Sequence, residues 1–312
     1  MLKVESGSDL MDTRKLTNAA MMAALAVVLS LLGAYFPPLF LLFFLIPAPI
    51  AIACIRGSES YAIAASFIVF TADVIFIDLG TAFTALFFAL QGFLMGYLIS
   101  KKRKASEVLL DVTALSIVGM VGIFYLLKLA FNVDIMALFF KAIDAAVANI
   151  SSSYKGHPNF SMIQSNLLSI KQMLEMTIPA SLIIAVLLMV WLNYLLVYRI
   201  LKTQHFNIEP LPPFDEWKMP YITGWIFIVA LLYQYFTKEP NLIITNIVVL
   251  LSFGFTVGGL ALIKFYLTRK LNMNSWGANL LLVFLLFFPL TSWLLAVVGI
   301  ADTSLDLRKY LR

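Results

Sequence analysis

The chain has 312 residues, 62% of them hydrophobic and only 12% charged, with a formal net charge of +5. Soluble domains carry about a quarter charged residues, so this composition excludes a water-soluble globule and makes lipid the solvent. The positive excess sits at the ends of apolar runs, where it sets orientation and does not form a nucleic-acid surface; the single cysteine, Cys54, excludes an internal disulfide and a multi-cysteine metal site.

In chain order, residues 1–12 are polar and read as a short tail. Residues 16–36 form the first apolar run, long enough to cross the roughly 30 Å of bilayer hydrocarbon and too long for a cleaved signal, so it is read as retained. Within it Ala19 and Ala23, and likewise Ala20 and Ala24, recur at the four-residue spacing that lets another helix backbone approach closely in a membrane. Pro37 and Pro38 stop this helix. Residues 39–55 follow as a short span that Pro47 and Pro49 break or tilt. Residues 61–77, 81–99 and 108–131 make the third to fifth spans, and the basic run Lys101, Lys102, Arg103, Lys104 after the fourth marks the cytoplasmic side.

Residues 132–175 change character. Ile135, Leu138, Phe139, Ala142, Ile143, Ala146, Val147 and Ile150 fall on one face of a helix. Ser151 to Ser153 and Gly156 to Asn159 break it, and a helical pattern resumes over 162–176. The spacing predicts an amphipathic hairpin outside the membrane, either lying on the bilayer or serving as a lid over an outward-facing cavity. A sixth span covers 176–198, and the proline-rich stretch 209–217 reads as the internal boundary. Beyond it come 221–236, 242–263 and 276–300, the last interrupted by Pro289. With the amino terminus inside, 14 Lys and Arg residues fall inside and 5 outside. Nine full spans would leave Arg308, Lys309 and Arg312 outside; a final segment that turns back at Pro289 gives eight and an inside tail.

No H-E-x-x-H, G-x-S-x-G or phosphate-cradling glycine loop occurs, and His157 and His205 stand far apart, so no enzyme, metal site or cofactor is expected. Polar groups inside apolar spans are costly there and tend to face a cavity or a partner. Asp73, Asp78, Gln91, Lys128 and Asn193 are the candidates. Asp73 and Asp78, five residues apart, do not share a face; Asp78 reads as a water-exposed helix end, and Lys128 snorkels outward. Gln91 and Asn193 suit interhelical hydrogen bonds or ligand contacts equally. At the tail, Asp302 and Asp306 stand at i, i+4 with Arg308 able to answer either, which by itself reads as a solvated ion pair worth at most ~1 kcal/mol.

Two resemblances attach to these residues. With its Leu211-Pro212-Pro213-Phe214 linker, and Gly299-Ile300-Ala301-Asp302 followed by Asp306-Leu307-Arg308, the whole chain resembles the YybS-like family of bacterial multispan membrane proteins. That likeness raises Asp302, Asp306 and Arg308 above a solvated tail without assigning them a chemistry. Roughly the first 200 residues, with Thr13-Arg14-Lys15-Leu16-Thr17 before an alanine-rich first helix and six spans, are similar to the S components of energy-coupling-factor vitamin transporters. The similarity implies that Ala19, Ala20, Ala23 and Ala24 dock on a coupling subunit and that a ligand sits near the outer side. The expectation is an all-α polytopic membrane helix bundle of eight or nine spans: a six-span unit over 1–205 carrying the insert 132–175, a cytoplasmic linker over 206–219, and membrane helices over 220–312. Its expected role is transport-related, binding a small molecule, with an ATPase or coupling subunit to power uptake. The alternative is a non-transporting scaffold or sensor that holds a partner through Asp302 to Arg308.

Overall fold

A computed structural model describes residues 7–237 and 240–311, and all regular structure among them is helical. Lys3, Lys238 and Arg312, used above in the charge balance, lie outside the described residues. Helix α1 (Gly7–Tyr35) begins within the stretch that its polarity marks as tail. It ends where Phe36, held extended at φ −118° by the proline after it, cannot continue a helix. The second span is broken as its prolines predict: a 3-10 stretch Pro37–Leu45 leads into α2 (Pro47–Arg56). Next come α3 (Glu59–Phe76), α4 (Leu79–Ser100) and α5 (Ala105–Phe131), then α6 (Ile135–Ser153) and α7 (Phe160–Lys202). After the linker stand α8 (Tyr221–Thr237), α9 (Leu242–Phe265) with a π-helical turn Tyr266–Lys270, α10 (Ser275–Leu286), α11 (Pro289–Leu305) and the short α12 (Arg308–Leu311).

Among the described residues eight helical segments are long and apolar enough to cross a bilayer, and nine if the bent pair α10–α11 counts as one span. The final segment does break at Pro289, with 119° between its two helices. Membership differs from the expectation at two places. The 19 residues of α6, assigned above to an insert without a span, pass on length and apolarity, whereas α8 with 17 residues falls short.

The other difference is α7. A resumed amphipathic helix and a separate sixth span were expected; the two are one helix of 43 residues running straight through Pro179. At ~1.5 Å per residue it is about 65 Å long, roughly twice the hydrocarbon thickness, so one end must project beyond the membrane. The polar half, with Gln164, Asn166, Lys171, Gln172 and Glu175, is that end. It pairs with α6 through an ion pair between Lys171 and Asp144. Half-buried residues recur at Met136, Phe140, Ile143 and Val147 on α6 and at Phe160, Ile163, Leu167 and Lys171 on α7, as the seam of a hairpin requires. Leu138, Phe139 and Ile150 from the expected apolar face stay exposed.

Helix continuity at Pro179 has a local cause. Asn246 of α9 inserts its amide into the gap: its Oδ1 accepts from Ala180 N at 2.7 Å, and its Nδ2 donates to Met176 O at 2.8 Å. One side chain thereby replaces the main-chain bond between residues 180 and 176 that the proline disturbs.

The chain divides into two compact units. The first is Met1–Ile135 with Ala185–Leu211, and the second is Met136–Ile184 with Pro212–Arg312. The first holds α1 to α5 and the carboxyl-terminal part of α7, built around small residues. A Cβ on Gly92 of α4 would stand 2.3 Å from Pro47 O, so α2 and α4 cross with their backbones in contact. In the second unit α9 and α11 do the same reciprocally: a Cβ on Gly259 would meet Leu295 O at 2.0 Å, and one on Gly299 would meet Phe255 O at 1.9 Å. Without a hydrophobic drive between helices in lipid, such close approach is what holds them.

Gly299→Ala must therefore push α9 and α11 apart at a cost of about 1–3 kcal/mol, while Gly119→Ala on α5, with nothing within 4 Å of its Cβ, should not destabilise. Thermal denaturation followed by size-exclusion chromatography in detergent should show a lowered Tm for the first variant only.

Candidate functional site

The five polar residues singled out within the apolar spans all lie in the first unit, and the structure sorts them. Asp78 is the N-cap of α4: its carboxylate accepts from Thr81 N at 2.9 Å and from the Thr81 hydroxyl at 2.6 Å. Those bonds, the hydroxyl first, hold its carboxyl below the usual range, and no ligand is needed to explain it. Lys128 pairs with Asp134 at 2.8 Å with its ammonium exposed.

Gln91 and Asn193 are both 1% exposed and do structural work with their donors only. Phe44 O in the 3-10 stretch would accept from residue 47, but Pro47 has no N–H. Asn193 Nδ2 fills that place at 2.7 Å and also donates to Met189 O at 2.9 Å. Gln91 Nε2 donates to Ser116 Oγ on α5 at 3.1 Å, one turn from Thr113. What remains is a set of buried oxygens without a hydrogen-bond partner: Gln91 Oε1, Asn193 Oδ1 and Thr113 Oγ1. Met95, one turn from Gln91, Val112, next to Thr113 in the chain, and Val190, one turn from Asn193, belong to one core cluster.

Asp73 stands elsewhere. It is fully buried on α3 and accepts from Ser30 of α1 at 2.5 Å. Because α3 and α4 join through Ile77 and Asp78, Gln91 lies roughly 12 Å farther from that turn than Asp73 does. The alanine stripe of α1 also splits: Ala19 and Ala23 are buried, Ala20 and Ala24 exposed. Ala23 packs with Ile46, Ile50 and Cys54 of its own unit.

In the second unit the linker and the tail motif meet, which neither stretch predicts alone. The Arg308 guanidinium donates from Nε to Asp302 at 3.0 Å, from Nη1 to Asp215 O at 2.6 Å and from Nη2 to Trp217 O at 2.6 Å. Asp302 is 1% exposed, so the solvated-tail reading gives way to a buried ion pair. Asp306, in left-handed backbone at φ 51°, pairs with Lys218 at 2.7 Å and Lys309 at 3.1 Å. Arg269 adds a pair to Asp215 at 3.3 Å, and the Trp217 indole donates to Pro212 O at 2.9 Å. The sequence does offer one signal for this clasp: Asp215 and Lys218 are two of the three charges that flank Trp217 in the linker.

Asn246, Ser30 and Thr113 were not singled out from sequence. A carboxamide early in an apolar helix is a signal for Asn246; a lone hydroxyl such as Ser30 gives none. Two clefts open on the first unit, about 420 Å³ lined by Cys54, Gly57, Ser58, Glu59, Ser60 and Ser100, and about 360 Å³ lined by Thr13, Arg14, Thr17 and Asn18. Both lie at the end marked by Arg14, Arg56 and Lys101, and neither touches Asp73, Gln91 or Asn193. No group of three or more His, Cys, Asp or Glu side chains suited to a metal ion occurs among the described residues.

The model of a family described as "Predicted membrane protein (DUF2232)" matches residues 24–303. No curated protein and no solved structure matches the chain.

Two outcomes test the clasp. Arg308→Ala strands the buried Asp302 charge and should destabilise by about 3–5 kcal/mol. Lys218, then Lys309, hold the Asp306 carboxyl below its ordinary range. A depressed folded pKa means that this pair contributes at neutral pH and is lost as pH falls through that lowered value. Pepsin cleavage within the linker should therefore rise as pH falls below the ordinary carboxylate range. In Asp306→Asn the linker should be cut faster than in wild type by a neutral protease at pH 7, the Arg308 bonds still holding part of it; equal protection of both forms would refute the assignment.

Proposed function

The chain belongs to the DUF2232 family of predicted membrane proteins, and on that premise we propose that it is a ligand-binding protein of transport type, not an enzyme. The observation that carries this reading is the trio of buried oxygens on Gln91, Thr113 and Asn193 without hydrogen-bond partners. An unsatisfied acceptor in an apolar bundle costs roughly 1–3 kcal/mol, a standing cost that a ligand donating to all three would remove. The trio pairs two carboxamide oxygens, which only accept, with one hydroxyl, which can accept or donate, and it holds no charge, so the ligand it fits is a small neutral molecule rich in N–H or O–H groups. Because the surrounding core is packed, entry requires the α7 segment bearing Asn193 to move from α4 and α5.

The grouping of α1, the broken second span, α3, α4, α5 and the end of α7 into one unit supports the likeness to S components, and with it an ATPase or coupling subunit as partner. In that reading the chain sits in a bacterial membrane with its amino terminus in the cytoplasm. The exposed Ala20 and Ala24 are then the docking stripe, since Ala19 and Ala23 are used within the unit. A scaffold working through Asp302, Asp306 and Arg308 has less support, because those side chains are committed to the chain's own linker. The tail motif and linker leave membership in the YybS-like group as the finer family reading.

Native mass spectrometry of the gently purified full chain tests the proposal. A small neutral metabolite should be released on activation from wild type and be absent or at least tenfold reduced in Gln91→Leu. Wild type that never carries a small molecule, and never co-purifies with an ATPase pair, would sink the transport reading.

A further inference from the structure

A second buried polar site stands on its own footing and goes beyond that reading: we infer that Ser30 and Asp73 form a binding site for a monovalent cation. Both side chains are 0% exposed. They complete the buried stripes of their helices, Ala19, Ala23, Ala26 and Ser30 on α1 and Ala62, Ala65, Val69 and Asp73 on α3, whose small residues draw the helices close. The Ser30 hydroxyl donates to Asp73 Oδ2, which leaves the lone pairs of Ser30 Oγ and the whole of Asp73 Oδ1 as oxygen ligands without a partner. No ion pair reaches Asp73 among the described residues.

The surroundings add negative potential and nothing to offset it. Asp73 lies in the last turn of α3, at the negative end of the helix dipole, where an acid is disfavoured and a cation is favoured. Helix α1 ends beside it, since the Tyr35 hydroxyl donates to Phe76 O and ties the two carboxyl-terminal ends together. The nearest other ionisable group acting on Asp73 is a second carboxylate, Asp78. One buried carboxylate compensates one positive charge. With one carboxylate and no further acid on the site, the charge matches a monovalent ion and not a divalent one. The shared chemistry is a compact cation, either an alkali ion or the ammonium group of a small molecule.

The test is thermal denaturation of the full chain in detergent, at constant ionic strength, in N-methylglucamine chloride against sodium, potassium and methylammonium chlorides. Wild type should gain several degrees, saturably, with sodium or potassium if the ion is an alkali metal and with methylammonium if it is an ammonium head. Asp73→Asn should lose that gain and melt no lower than wild type in N-methylglucamine, because it removes an uncompensated charge. Ser30→Ala should keep the gain at about tenfold higher concentration, and it decides the matter should Asp73→Asn fail to fold. A wild type that responds to no small cation, or a Ser30→Ala variant that responds as wild type does, would make the pair a protonated structural hydrogen bond and overturn the site. Retention of a neutral metabolite is a separate readout, so either result leaves the Gln91 and Asn193 reading to stand or fall by itself.

Discussion

A main-chain carbonyl that loses its amide partner inside a bilayer must find another donor, because no water is there to supply one. This chain spends its prolines at that problem and answers it with single side chains brought from far along the sequence. Pro47 orphans Phe44 O, and Asn193 supplies the donor. Pro179 disturbs the ladder at Met176, and Asn246 supplies both donor and acceptor. In the proline-rich linker, where no regular ladder exists, Tyr194 donates to Glu209 O, Trp217 to Pro212 O and Arg308 to Asp215 O and Trp217 O. The Asn193, Tyr194 and Arg308 bonds each fix an irregular segment to a helix, so those breaks become defined geometry instead of frayed ends.

The same constraint explains why the polar groups that remain are informative. Where a carboxamide is used only to donate, its oxygen is left over. Asn193 and Gln91 both present that oxygen inside the first unit, while their donors serve the fold. A structural role and a binding role are thus two ends of one side chain. Asp73 differs in kind, because its charge, and not a spare lone pair, is what the apolar surroundings fail to answer.

Helix contact supplies the rest of the order. Small residues recur wherever two backbones meet: Gly92 against Pro47, and Gly259 and Gly299 against the carbonyls of α11 and α9. The alanine stripe of α1 belongs to the same set on its Ala23 side, where α2 residues cover it. Only its Ala20 and Ala24 side stays open. An apparent docking motif is therefore half spent inside the chain, a distinction that spacing alone cannot make because adjacent stripes repeat identically.

Much of the architecture is legible in the sequence, since hydrocarbon thickness and proline chemistry act locally. The all-helical class, the stop at Pro37, the broken second and final spans, the hairpin break before Phe160 and the cap at Asp78 all follow from residues near in the chain. The misjudged elements are those in which a distant residue changes the local rule. Residues 160–202 read as two helices until Asn246 repairs the kink at Pro179. The tail reads as solvated until the linker is laid over it and Asp302 is buried with Arg308. Likewise Asp73 gives no hint of Ser30, 43 residues earlier, because a hydroxyl on an apolar helix has no periodic signature. The sequence by itself determined the all-helical class, most of the segments apolar enough for lipid and the stops and bends set by Pro37, Pro47 and Pro289. Tertiary structure alone decided which polar atoms are satisfied and which are left over, because that depends on which helices cross and at what depth.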